Sequence, residues 1–399
     1  MLSCGLVGMP LAGKTTLFEL LTTAQGSADS HTQLAAGKRR TETKLANVPD
    51  GRVAHLSSLF RPKKTTYAQI AFTDIPGLGS AGGAGVVGGA GAGGGSGAGG
   101  GGSRAGSAAG RKANPFLEGV READALVFVL RAFNSGNPAD DLAELETELV
   151  ISDLDLAERR LDKLASRRNP TSEEAAAKTA IEACITLLSD GTPLYRAKEL
   201  PKGLPGEGSP AEARIPFLTA KRVIWVVNLD EDGLASHSYP GRDELRRTAE
   251  AQRIPLIELA AELERQIQAL SEEEAEVFRK EYGITTSGLE QLARAAYDHL
   301  NLQSFFTAGD DEVKAWTVRR GAGAREAAGK IHTDIERGFI RAEVLPYETF
   351  RQLAGTLPPA PGNAGERVIT QAKEKGLLRL EGKDYPVADG DIINFRFAV

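Results

Sequence analysis

One short run limits what this chain can fold into more than any other: "LSCGLVGMPLAGKTTLFELLT" near the N-terminus. Leu2–Val7 is apolar enough to be a buried strand, and Leu17, Leu20 and Leu21 fall on a helical period. Between them lies G-x-x-x-x-G-K-T, from Gly8 to Thr15. A strand, a glycine loop and a helix start in that order build an anion site. Loop N–H groups converge there, and the helix N-terminus adds partial positive charge. Gly8, Leu11, Ala12, Gly13, Lys14, Thr15 and Thr16 are the predicted cradle for the phosphates of ATP or GTP. Lys14 is placed to reach the β- and γ-phosphates, and the Thr15 hydroxyl to ligate Mg²⁺.

A phosphate cradle of this kind predicts further parts downstream. In "TYAQIAFTDIPGL", Tyr67–Thr73 reads as an apolar strand that ends at Asp74. A carboxylate at that place serves the Mg²⁺ shell, and Gly77 offers a backbone N–H to the γ-phosphate. In "RVIWVVNLDEDG", the buried run Val223–Val227 ends at Asn228. GTPases read N-K-x-D here, with the Asp pairing to guanine and the Lys stem packing on the base. This chain has Leu229 for the Lys and Glu231 for the Asp. One extra methylene pushes the carboxylate into the space of guanine's N1–H and amine. Adenine, which has no N1 donor, suffers less, so the predicted preference is for ATP.

The chain has 399 residues, a length that suits two or three domains. Its net charge of −6 argues against bulk electrostatic coating of nucleic acid, and no DNA partner is expected. Cys4 and Cys184 are the only cysteines, so no disulfide framework is expected and both read as buried free thiols. The N-terminus lacks a basic n-region and its apolar run is short. Neither a signal peptide nor a membrane span is expected, and the predicted location is the cytoplasm.

Buried runs alternate with helices, which predicts an α/β fold with a mostly parallel sheet. The predicted nucleotide domain is residues 1–134 plus 215–300. Residues 135–214 interrupt it as an antiparallel helical hairpin: Leu142, Leu149 and Leu156 fall seven apart in its first helix. Thr171 and Glu174 spell a capping box for the second. Residues 301–399 read as a strand-rich module, with Ile392, Asn394 and Arg396 alternating against Ile393, Phe395 and Phe397. That module carries Arg319, Arg320, Lys330, His332, Arg337 and Arg341, which read either as solvated charge or as contacts for RNA phosphates. Gly79–Gly110 is almost all Gly, Ala and Ser. Both its flanks belong to the nucleotide domain, so it is predicted to be a mobile extension of the γ-phosphate-sensing loop rather than a linker.

The P-loop, "DIPGL", "NLDE" and the tail together resemble the YchF/Obg-like ATPases, of the translation-factor class of P-loop proteins. The likeness is closest in "LQSFFTAGDDEVKAWTVRRGAGAREAAGKIHTDIERGFIRAEVLPYETF" and "GLLRLEGKDYPVADGDIINFRF", and it fails in the glycine segment and in the loop before "NVPD". The resemblance implies a C-terminal TGS domain of α+β type, ATP bound at least as well as GTP, and association with the ribosome or its RNA. It also exposes departures. The family has Asn, linked to potassium-assisted hydrolysis, where this chain has Leu11. It has a His with a catalytic role where this chain has Phe128. As the resemblance leads one to expect, no catalytic Gln follows Gly77: Leu78 stands there, and an aliphatic group cannot orient water. The switch-one Thr that closes the Mg²⁺ shell is either Thr41 or Thr43. Hydrolysis is therefore expected to be slow. The alternative is a nucleotide-gated binding protein with negligible turnover.

Overall fold

The computed structural model describes residues 2–23, 42–74, 115–169, 171–204, 215–358 and 362–398. Six strands form a first sheet: β1 (Ser3–Gly8), β2 (Glu42–Asn47), β4 (Gln69–Asp74), β5 (Ala125–Arg131), β6 (Arg222–Asn228) and β7 (Leu256–Leu259). Their order is β2-β4-β1-β5-β6-β7, parallel throughout except for the antiparallel β2–β4 pair. The strand-like alternation sorts side chains onto two faces. Cys4, Leu6, Val127, Val129, Ile224 and Val226 lie in one core. Val7, Leu126, Phe128, Leu130, Trp225 and Val227 lie in the other. A sheet buried on both faces needs near-continuous apolar strands, as the runs in β5 and β6 supply.

Helices α1 (Lys14–Thr23) and α9 (Gly288–His299) cover the first face, through Leu17, Phe18, Leu289, Leu292 and Ala296. The other face receives the start of α3 (Pro138–Ala165) and α6 (Arg242–Gln252). The far half of α3 packs instead on α4 (Ser172–Ser189), where Val150 and Ala157 meet Ile181, Cys184 and Leu188. The α4 capping box forms: Glu174 N donates to Thr171 Oγ1 at 3.2 Å and Thr171 N donates to Glu174 Oε2 at 3.0 Å. Short helices α5 (Glu231–Ser236), α7 (Ala261–Gln268) and α8 (Glu272–Glu281) gather beyond the ends of β6 and β7.

The second sheet has the order β11-β10-β12-β8-β9-β3. Its strands are β8 (Leu302–Ala308), β9 (Glu312–Arg319), β10 (Phe339–Pro346), β11 (Arg379–Glu381), β12 (Asp391–Phe397) and β3 (Lys64–Thr66). The last comes from the N-terminal segment and pairs parallel with β9, Thr65 opposite Val313. Helices α10 (Ala324–Ile331) and α11 (Thr333–Arg337) cover one face over Phe305, Val344, Ile393 and Phe395. The opposite face meets α2 (Gly51–Phe60), α12 (Tyr347–Thr356) and α13 (Ala364–Glu374). Asn394 and Arg396 turn outward and bond Glu343, as the alternation predicts.

Candidate functional site

The carboxyl ends of β1, β4, β5 and β6 open on one edge of the first sheet, where ligands of parallel α/β sheets collect. The loop from Gly8 to Gly13 turns sharply there. Gly13 has φ +91°, and a Cβ on it would lie 2.3 Å from Asn228 Nδ2, so only glycine fits. A Cβ on Gly8 would meet Val129 O at 2.6 Å. Ala12 N closes the turn on Met9 O at 3.2 Å. Leu11 takes φ +63°, with its side chain 83% exposed.

Lys14 is 7% exposed. Its ammonium donates to Gly8 O at 2.9 Å and Met9 O at 2.8 Å. Burial lowers its pKa, while the charges of Asp74 and Asp141 oppose that shift. The cation is thus held inside the loop on neutral carbonyls, which a phosphate can outcompete. Thr15 Oγ1 donates to Asp74 Oδ2 at 3.1 Å, so the two predicted Mg²⁺-shell residues meet. A hydroxyl beside a carboxylate is a hard oxygen donor set, which fits Mg²⁺. Thr16 sits half-buried behind them on the first turn of α1.

Thr43 does not join this pair. Its hydroxyl bonds the Thr73 hydroxyl at 3.0 Å inside the β2–β4 ladder. Thr41, Gly77, Leu78 and the Gly79–Gly110 run lie outside the described residues. Phe128 is wholly buried and meets Tyr195 edge-on, with ring centroids 6.3 Å apart.

Asn228 staples the site together. Its Nδ2 donates to Ala12 O at 3.0 Å, and its Oδ1 accepts from Ala261 N at 3.0 Å. Leu229 N donates to Leu259 O at 2.8 Å, and the Leu229 side chain is 3% exposed, packed in the second core rather than open to the site mouth. Asp230 caps α5 by accepting from Gly233 N at 2.9 Å. Glu231 follows it, half-buried, and faces Gln266 of α7 and Tyr282 beyond α8.

Several participants went unread in the sequence. Asp141, 6% exposed in the first turn of α3, accepts from Arg131 N at 2.8 Å and lies within electrostatic reach of Lys14. Burial raises its pKa, against the pull of the Arg131 N–H. Ala261, Gln266 and Tyr282 come from segments distant in sequence. The only signal in the sequence was that the buried run Leu256–Leu259 is followed by Ala260 and Ala261 at the start of a helix.

Residues 302–398 match the family YchF-GTPase_C, described as a protein of unknown function (DUF933). The chain is 35% identical over 406 residues to the "Ribosome-binding ATPase YchF" of Escherichia coli O157:H7, covering 99% of each. It is 35% identical over 410 residues to the protein of the same name from Bacillus subtilis (strain 168), covering 100% of each. The "Structure of the Schizosaccharomyces pombe YchF GTPase" superposes with a TM-score of 0.72 at 27% identity, covering 99% of this chain and 97% of that one.

Proposed function

The chain belongs to the YchF family, and we propose on that premise that it is a ribosome-associated P-loop ATPase that turns ATP slowly into ADP and phosphate, prefers ATP to GTP, and works in the cytoplasm. The observation that carries the reading is the assembled cradle: buried Lys14 on the loop carbonyls, with Thr15 and Asp74 joined beside it. Thr15 and Asp74 are the residues that would hold Mg²⁺, which when bound with ATP neutralises charge on the β- and γ-phosphate oxygens. Lys14 leaves Gly8 O and Met9 O to pair with the phosphates. Asn228 keeps the loop and the base-side segments in register. Relatives named for ribosome binding support the partner, and the exposed Arg337, Lys330 and Arg341 support an RNA face on the second sheet's module. Among the described residues no helix is long and apolar enough to cross a membrane.

The second reading, a nucleotide-gated binding protein with negligible turnover, is favoured by Phe128, which is sealed in the core and has no transferable proton. Single-turnover hydrolysis of ATP, with and without ribosomes, separates the two: phosphate release above the Lys14→Ala background supports the ATPase. Lys14→Ala should weaken ATP binding by more than about tenfold, since charged hydrogen bonds contribute about 1.5–3 kcal/mol. Potassium should not outpace sodium, because the Leu11 side chain offers no oxygen to a cation. Potassium stimulation would refute that part.

A further inference from the structure

Helix α5 is short, so the direction of its faces is set by what it packs on. Glu231 and Leu234 are three apart and share a face. Leu234 packs into a small core with Leu263 and Ile267 of α7, Ala275 and Phe278 of α8, and Tyr282. Glu231 is thereby aimed at the same two helices. Its carboxylate meets one donor on each oxygen: Gln266 Nε2 reaches Oε1 at 3.4 Å, and the Tyr282 hydroxyl reaches Oε2 at 3.5 Å. The Tyr282 ring is braced against Phe278, with centroids 5.1 Å apart, and its backbone N closes on Phe278 O at 3.2 Å. The phenol is protonated at neutral pH and so is a donor, and the negative charge of Glu231 raises its pKa further.

We propose that Tyr282 and Gln266 are positioning residues that hold the Glu231 carboxylate toward α7 and α8, and so set the preference of the base site for adenine over guanine. The proposal rests on the reading of Glu231 as the residue that faces the base, and it replaces a steric clash with guanine by a restraint: the longer carboxylate can answer guanine once it withdraws from the helices. Guanine presents two parallel donors, N1–H and the exocyclic amine, and a carboxylate answers them only with both oxygens. Here both oxygens already have protein donors, so guanine must draw the carboxylate off them. Adenine has no N1–H and makes no such demand. Both contacts are long, so the restraint is a matter of small factors in affinity rather than exclusion.

Calorimetry with ATP and with GTP on the full-length protein tests it. Tyr282→Phe and Gln266→Ala should each tighten GTP by about 2–5-fold, with ATP unchanged within about twofold. Glu231→Ala should weaken GTP by a larger factor than ATP, and in the Glu231→Ala background Tyr282→Phe should have no effect on GTP. If Glu231→Ala shifts the ATP/GTP ratio but neither Tyr282→Phe nor Gln266→Ala does, the positioning role is wrong and the base reading stands. If Glu231→Ala leaves the ratio unchanged, the base reading fails and takes the proposal with it. A gain in GTP affinity that persists without Glu231, or an equal loss for both nucleotides, also overturns the positioning role.

Discussion

Leu11 is the residue at which local chemistry and local geometry disagree most. A branched apolar side chain stands 83% exposed on a backbone with φ +63°, a region that costs a Cβ-bearing residue about 1–2 kcal/mol and that Asn tolerates better. Leu11→Asn should therefore raise the stability of the nucleotide-free protein by about 1 kcal/mol, read as a higher urea midpoint with an unchanged slope. A lower midpoint would mean that the Leu11 side chain makes contacts the exposed geometry does not show. The rest of the cradle was legible because its parts are contiguous: Gly8, Gly13, Lys14 and Thr15 sit within eight positions and carry one another's geometry. Asp74 was legible as the end of an apolar run. Asp141, Ala261, Gln266 and Tyr282 were not, because each reaches the site through tertiary packing from a helix or loop whose own sequence pattern describes only that helix or loop.

At the scale of elements, α3 does two jobs along one axis. Leu142, Leu145 and Leu149 pack it on the first sheet, and Val150 and Ala157 pack it on α4. The handover falls at Asp153, which is wholly buried. Its carboxylate accepts from Arg121 Nη1 at 2.8 Å, Leu218 N at 3.0 Å, Thr219 N at 2.7 Å and Thr219 Oγ1 at 2.8 Å. One side chain thus fixes the root of the hairpin to both strands of chain that enter and leave it. Removing it breaks the buried ion pair with Arg121 and leaves the N–H groups of Leu218 and Thr219 without their acceptor. Asp153→Ala should cost about 3–5 kcal/mol, because one member of a buried, hydrogen-bonded ion pair is taken away. Calorimetric melting measures this, and a loss below about 1 kcal/mol would show that water reaches the root. The seven-residue leucine spacing and the Thr171–Glu174 box made both helices readable, since those signals lie within a few residues of each other. The Asp153 clamp and strand β3 were unreadable for the opposite reason. Asp153 finds partners 32, 65 and 66 residues away. Strand β3 is only "KTT", too short to alternate, and its partner strand begins at Glu312.

Across the whole molecule, α2 and β3 join the two sheets, and they leave the chain between β2 and β4, the strands that carry Thr43 and Asp74. Val53, Leu56 and Phe60 of α2 share one core with Cys4, Phe18 and Phe72 on one side and Phe306, Val313 and Phe350 on the other. The Phe60 and Phe350 rings stack 5.8 Å apart. Helix α13 comes so close that a Cβ on Gly365 would lie 2.3 Å from the Phe60 ring. Arg52 bridges Asp50 and Asp389, each at 2.8 Å, and lies over the Phe306 ring at 5.0 Å. Burial alone would raise the pKa of Asp389, but hydrogen bonds from Arg52 and Ser304 N outweigh it and hold the carboxyl below its usual value. A lowered folded pKa gives stability that is present above the unfolded value of 3.8 and lost as pH falls through the folded one. Asp389→Asn should accordingly flatten the fall of the urea midpoint below about pH 4; an unchanged acid limb would show that the bridge opens in solution. The continuous core makes a larger demand, that the two sheets unfold together. The chain has two tryptophans, and they report on different sheets: Trp225 in β6 and Trp316 in β9. In Trp316→Phe protein the remaining indole follows the first sheet, and in Trp225→Phe protein it follows the second. Within each variant, urea unfolding read by fluorescence and by far-UV circular dichroism should share one midpoint, because comparing two probes on the same protein cancels the cost of the substitution. Phe60→Ala, which removes the ring between the sheets, should lower stability by about 3–5 kcal/mol and is the variant in which the two probes should separate. Separate midpoints while Phe60 is in place would mean that α2 lies against the second sheet without coupling it to the first.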